Sequence, residues 1–311
     1  MKVVPGAAID EVRVSGHACW VVDDPADYVK SAADLLTEGT RIDHKVVFGP
    51  RGDVLDEIAA VAGATAFDPA TAYPSGKLDP VIMCGILRSY AVRAREDGYS
   101  GLRVVADMDW LLPFRPQMAQ IISLELQLDR LIAELDVTLV CAYRTSSFNT
   151  AAIIAALTVH SAQRGGHPLP QFRFTAAGPQ SWRLSGEIDL RVSDIFLAAL
   201  GTAASLGECV IDVSGLRFVD VSGMRTLAVA SWTAASGIRL LGASHGLRRL
   251  WDLCGFAQAA PLVQLSPLAP HWDAAMASAD RRGCPGKTRA STASSGCGMR
   301  PMLTTSTSSL A

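Results

Sequence analysis

Three short apolar runs constrain this chain more than any other feature. They are Val46-Val47-Phe48, Leu102-Arg103-Val104-Val105-Ala106 and Val137-Thr138-Leu139-Val140-Cys141-Ala142-Tyr143. Each is nearly continuous in apolar residues rather than alternating, and helix-length segments separate them. Strands buried on both faces read this way, and the intervening helices are the crossovers a parallel sheet requires. Residues 10–165 therefore predict a mainly parallel α/β sheet covered on both faces. The expected order starts with a strand over Val12–Val22 and a helix over Asp27–Glu38, with Tyr28, Ala32, Leu35 and Leu36 on one face. The Val46 strand is followed by helices near Val54–Val61 and over Pro80–Glu96, the latter capped by Asp79. Helix Pro116–Glu134 then joins the second run to the third, and helix Thr150–Gln163 closes the segment.

A Gly/Pro-rich linker at residues 166–170 interrupts regular structure. Residues 171–262 alternate again, with strands at Gln171–Ala176, Gln180–Glu187, Glu208–Val213 and Ile238–Leu241. Helices are expected at Arg191–Ser205, Ser222–Ala234 and His245–Cys254, giving a four-stranded sheet with helices. Residues 276–311 are rich in Ser and Thr and lack aromatics, so a disordered tail is expected there. A length of 311 residues accommodates about two such domains.

Charge and hydropathy remove several function classes. The net charge is −2, which gives no basic field for nucleic acid. No apolar run approaches ~18 residues, so no membrane-spanning helix is expected. The start of the chain lacks a signal-peptide core, and a cytoplasmic location is the expectation. Seven cysteines are scattered without a Cys-x-x-Cys pair, as for reduced structural thiols. His44, His160, His167, His245 and His271 show no paired ligand spacing, so neither a metal nor a cofactor is expected. His17, Cys141 and His160 could be assembled into a Cys/His pair on paper, but their spacing has no signature.

The sharpest local string is Phe218-Val219-Asp220-Val221-Ser222-Gly223, directly after an apolar strand. A helix cap alone would explain Asp220 or Ser222. The surroundings add to it: Leu184-Ser185-Gly186-Glu187-Ile188-Asp189 upstream, then Val210-Ile211-Asp212-Val213-Ser214, and Ile238-Arg239-Leu240-Leu241-Gly242 and Leu253-Cys254-Gly255-Phe256 downstream. In that order these strings resemble a STAS domain, the fold of bacterial anti-sigma-factor antagonists. The resemblance implies Ser222 as a phosphorylation site, with Asp220 and Gly223 in the switch region. It also implies an anti-sigma factor that is a Ser/Thr protein kinase as partner. The chain departs from many members by carrying Val221 where they place a second hydroxyl residue.

In the first segment, Gly49-Pro50-Arg51-Gly52 follows a strand as a nucleotide loop would, but lacks the Lys-Ser/Thr that holds phosphate and magnesium. His17, the Gly49 loop, Arg103-Val104-Val105-Ala106-Asp107-Met108-Asp109-Trp110, Glu125, Val140-Cys141-Ala142-Tyr143 and His160 occur in one order. Together they resemble a MEDS domain, a sensory relative of degenerate RecA/KaiC-like ATPases. That resemblance implies a small, apolar ligand. Ligands of parallel sheets bind at the carboxyl ends of strands. His17, Asp107, Asp109, Trp110 and Tyr143 are the candidate ligand-binding residues, although aromatic packing and turn capping would also account for them. The expected function is a non-enzymatic signalling regulator, sensing through the first domain and delivering output through the second. Two other classes stay open: a STAS scaffold without phosphorylation or sigma-factor output, and a small-molecule enzyme. Oligomeric state is also open.

Overall fold

The computed structural model describes residues 16–266 except 25, 27 and 39–42. The expected tail at 276–311, with Cys284 and Cys297, lies outside the described residues, as do the first residues of the expected Val12–Val22 strand.

The first half begins with β1 (Gly16–Val22), α1 (Tyr28–Thr37), β2 (Asp43–Phe48), α2 (Asp53–Ala62) and β3 (Thr65–Phe67). It continues with α3 (Pro80–Glu96), β4 (Gly101–Asp107), α4 (Met118–Ile132), β5 (Val137–Arg144), α5 (Thr150–Thr158) and β6 (Ala162–Arg164). The strands form one parallel sheet in the order β3-β2-β4-β5-β1-β6. The three apolar runs occupy adjacent interior strands, which is why they are apolar on both faces. Val47, Val105, Val140 and Ala142 pack under α1 and α2 with Leu35, Leu36, Leu55 and Ile58. Their neighbours Val46, Phe48, Val104, Leu139, Cys141 and Tyr143 pack on the opposite side with Leu87, Ile121, Leu124 and Ile153. The period-two alternation of strand side chains thus feeds two separate apolar layers. Asp79 caps α3 as expected, accepting from the Val81 N–H at 2.9 Å.

Two features of this sheet depart from the sequence reading. Strand β3 is a three-residue addition at its edge. Helix α5 stops at Thr158 rather than Gln163, because the chain then turns to pair with β1 as β6, Ala162 beside Ala18 and Arg164 beside Trp20. Arg173 satisfies the carbonyls exposed at that stop, donating to Leu157 O at 3.2 Å and His160 O at 2.6 Å.

The second half comprises β7 (Phe172–Gly178), β8 (Ser181–Ile188), α6 (Ser193–Ser205), β9 (Cys209–Val219) and α7 (Val221–Ser231). It ends with β10 (Ile238–Leu241), α8 (His245–Leu253), the short α9 (Phe256–Ala259) and β11 (Val263–Ser266). The sheet order is β11-β10-β9-β8-β7, antiparallel only between β7 and β8. Four strands match the expected ones. The fifth, β11, extends the sheet beside β10, and β9 runs on to Val219 past its expected end at Val213.

The two sheets share a core. Ile122 and Leu126 of α4 and Ala155 of α5 belong to the same buried cluster as Phe172, Phe174, Phe196 and Leu200. Helix α4 packs on both α6 and β7. The Arg130 guanidinium donates to Leu206 O at 3.0 Å, reaching the end of α6. Among the described residues, no helix is long and apolar enough to cross a membrane.

Candidate functional site

Three places in the fold concentrate chemistry. The first is the start of α7. Asp220 is its N-cap, with one carboxylate oxygen accepting from Gly223 N–H at 2.8 Å and the other from Leu190 N–H at 3.1 Å. The cap thereby ties the β8–α6 connection to the helix that carries Ser222. Gly223 is fixed by close packing: a Cβ there would sit 2.6 Å from Ile188 Cγ2 and 2.7 Å from Val219 Cγ2. Ser222 is half-buried at the helix start. Phe218 (52% exposed) and Val221 (54% exposed) flank it. They line a cavity of about 400 Å³ with Leu216, Met224, Leu247 and Leu250. Ser222 itself does not line this largely apolar groove, but its chain neighbour Val221 and its helix cap Asp220 do.

The second place is the mouth of the parallel sheet, where β4 and β5 end. Asp107 caps the following turn through Asp109 N–H at 3.1 Å and makes a close ion pair with Arg144. Arg144 also pairs with Asp109 at 3.3 Å and lies over the Tyr28 ring. Burial raises the Asp107 carboxyl to about 6 and outweighs the opposing pull of Arg144. A cavity of about 320 Å³ opens here, with Asp107 and Arg144 on one side and Val47, Leu55, Ile58 and Arg51 on the others.

The third place lies inside the first half, between the sheet and helices α4 and α5. His17 of β1 and Cys141 of β5 point to the same side as Cys19 and Tyr143. Glu125 and Asp129, one helical turn apart on α4, face them. His17 Nε2 is 3.2 Å from Glu125 Oε2 and 3.4 Å from Cys141 Sγ, and Cys141 Sγ is 3.5 Å from the same Glu125 oxygen. His160 Nε2, from the turn after α5, is also 3.5 Å from it. All four side chains are fully enclosed. Partners outside the cluster orient it. His17 Nδ1 meets Asp129 Oδ1 at 3.2 Å, His160 Nδ1 donates to Ala156 O at 2.7 Å, and the Tyr143 hydroxyl donates to Glu125 Oε1.

Burial alone would favour neutral His17, yet the carboxylates of Asp129 and Glu125 hold its imidazolium up to about 9. Burial would likewise raise Glu125, but His160, His17 and Tyr143 bring it down to about 2. Burial and the neighbouring His17 charge lower His160 to about 3. Burial and Glu125 push the Cys141 thiol well up, so it is no activated nucleophile despite its histidine neighbour.

The residues expected to bind a ligand are divided by the structure. Asp107 and Asp109 share the sheet mouth with Arg144. His17 lies within β1, and it and Tyr143 belong to the enclosed cluster. Trp110 is a core aromatic, stacked on Tyr73 at 5.9 Å. Arg144 and Asp129 were not expected at all; the cue for Asp129 is its spacing of one helical turn from Glu125. Cys19, Cys84, Cys141, Cys209 and Cys254 are free thiols.

Comparison with known families agrees with this arrangement. Residues 16–161 match the family described as MEDS, the methanogen/methylotroph, DcmR sensory domain. Residues 176–264 match the family described as Mlab, STAS domain. No curated protein matches the chain. A parallel sheet carrying an enclosed polar cluster, followed by a mixed sheet with a capped serine helix, is thus a MEDS sensory domain followed by a STAS domain.

Proposed function

We propose that the chain is a non-enzymatic signalling regulator whose STAS domain binds an anti-sigma factor and is switched by phosphorylation of Ser222. One observation carries this reading: exposed Phe218 and Val221 line a largely apolar groove, and Ser222 follows Val221 directly in the first turn of α7. An unmodified serine there leaves an apolar docking surface intact. A phosphate adds roughly −1.5 to −2 charges at pH 7. The helix N-terminus tolerates that charge locally, whereas an apolar contact face and the adjacent Asp220 do not. A partner kinase that binds the groove through Val221 would find its own substrate at the next residue of the chain.

The MEDS domain supplies the input. The cavity at the sheet mouth combines apolar Val47, Leu55 and Ile58 with charged Arg51, Asp53, Asp107 and Arg144, which suits a small molecule with an apolar part and polar groups. Binding rather than turnover is supported by the Gly49-Pro50-Arg51-Gly52 loop, which lacks the lysine that contacts transferred phosphate. The shared core supports coupling between the domains, provided the ligand favours one of their arrangements.

Co-purification of the full chain from its host, with phosphosite mapping, tests the output. An anti-sigma kinase should be captured by the wild type and by Ser222→Ala but not by Ser222→Asp. Equal capture by all three would remove the switch, and absence of any such kinase would remove the antagonist reading.

A further inference from the structure

We propose that His17, Glu125, Cys141 and His160 form a closed, four-coordinate site for a divalent transition metal of the zinc class. Four donor atoms of these residues lie within 4.8 Å of one another. Four of the six separations between these atoms are 3.2, 3.4, 3.5 and 3.5 Å, and the two that His160 Nε2 makes with His17 and Cys141 fall within 4.8 Å. Zinc bonds of roughly 2.0–2.3 Å at tetrahedral angles place neighbouring ligand atoms roughly 3.3–3.6 Å apart.

Hydrogen bonding points the same way. His160 Nδ1 donates to Ala156 O at 2.7 Å, so the neutral ring carries its lone pair on Nε2. That nitrogen is buried without a hydrogen-bond partner and faces the Glu125 carboxylate. A lone pair aimed at an anionic oxygen is repulsive, and a cation between them removes the conflict. His17 repeats the arrangement, its Nδ1 against Asp129 and its Nε2 turned inward. Glu125 turns one oxygen inward and gives the other to Tyr143. Each ligand except the thiol is thus fixed from behind by an outer partner, as metal-bound histidines and carboxylates characteristically are.

Two imidazoles, a carboxylate and a thiolate suit zinc or cobalt better than magnesium or calcium, which take oxygen donors. Binding releases the Cys141 thiol proton, and any proton held on His17, to solvent. The charges of Glu125 and the Cys141 thiolate then balance the dication. All four ligands are enclosed, which leaves no open position for a bound water. The ion therefore pins β1, β5, α4 and the turn after α5 rather than catalysing a reaction. Its outer partner Asp129 also accepts from Ala176 N–H of β7 at 2.5 Å, so loading would bear directly on an edge strand of the STAS sheet.

The test uses the full chain with Cys254→Ser, Cys284→Ser and Cys297→Ser, which removes the exposed thiol and the two outside the described residues. After chelator treatment the protein is dialysed against Co(II). The expected result is one cobalt per chain, intense visible d–d absorption of a tetrahedral site, a thiolate-to-cobalt band in the near ultraviolet, and bleaching on addition of Zn(II). Lack of uptake, or uptake without the thiolate band, overturns the proposal. Adding Cys141→Ser should abolish the band. If that variant fails to fold, X-ray absorption of the zinc-loaded parent decides instead: one sulfur and three nitrogen or oxygen ligands are expected, and a shell without sulfur refutes the site.

Discussion

Gly223 shows how much a single position controls at the STAS output. Its missing Cβ lets α7 approach Ile188 and Val219 closely enough to hold the Asp220 cap over the β8–α6 connection. Both obstructing atoms are methyl carbons of branched side chains, Ile188 in the core and Val219 half-buried against it, and overpacking of this kind costs about 1–3 kcal/mol. Gly223→Ala should therefore lower stability by about that amount in urea denaturation. A variant as stable as the wild type would show that the helix start can shift freely. The Asp-Val-Ser-Gly string was legible in the sequence because helix capping is a local requirement, whereas the close approach of Gly223 to Ile188, on a distant strand, was not. The roles of Asp107 and Arg144 were less so: the carboxylate at the end of its strand was visible, but its cation comes from the end of a neighbouring strand.

At the scale of elements, periodicity located the interior strands and most helices, since burial on two faces leaves an unbroken apolar run. It failed at element ends and at the short edge strands β3, β6 and β11, whose few residues carry little pattern. The end of α5 is the clearest case. Composition alone continues the helix to Gln163, while the pairing of β6 with β1 and the reach of Arg173 stop it at Thr158. Arg173→Met should leave the Leu157 and His160 carbonyls without this donor. A lost buried hydrogen bond costs about 1–3 kcal/mol. Faster amide hydrogen exchange in β6 and the last turn of α5 is the expected readout; unchanged protection would mean that other donors replace the guanidinium.

At the scale of the whole molecule, the two family matches divide a chain whose interior is continuous. Ile122 and Leu126 belong to the sensory domain in sequence but are buried with STAS residues. Burial of such side chains is worth about 1.5–3 kcal/mol each. That is a large share of a typical domain stability of about 5–15 kcal/mol. The two domains should thus melt as one calorimetric transition, and two well-separated transitions would show that the shared core does not couple them. Sequence by itself determined the parallel sheet and the capped serine helix, which follow from periodicity and from neighbours along the chain, and the order of the two domains, which follows from the family resemblance of their motifs. Only the tertiary structure decided that His17, Glu125, Cys141 and His160 meet. They come from two strands, a helix and a turn, and no local spacing records a convergence that depends on strand order and on which face of α4 meets the sheet.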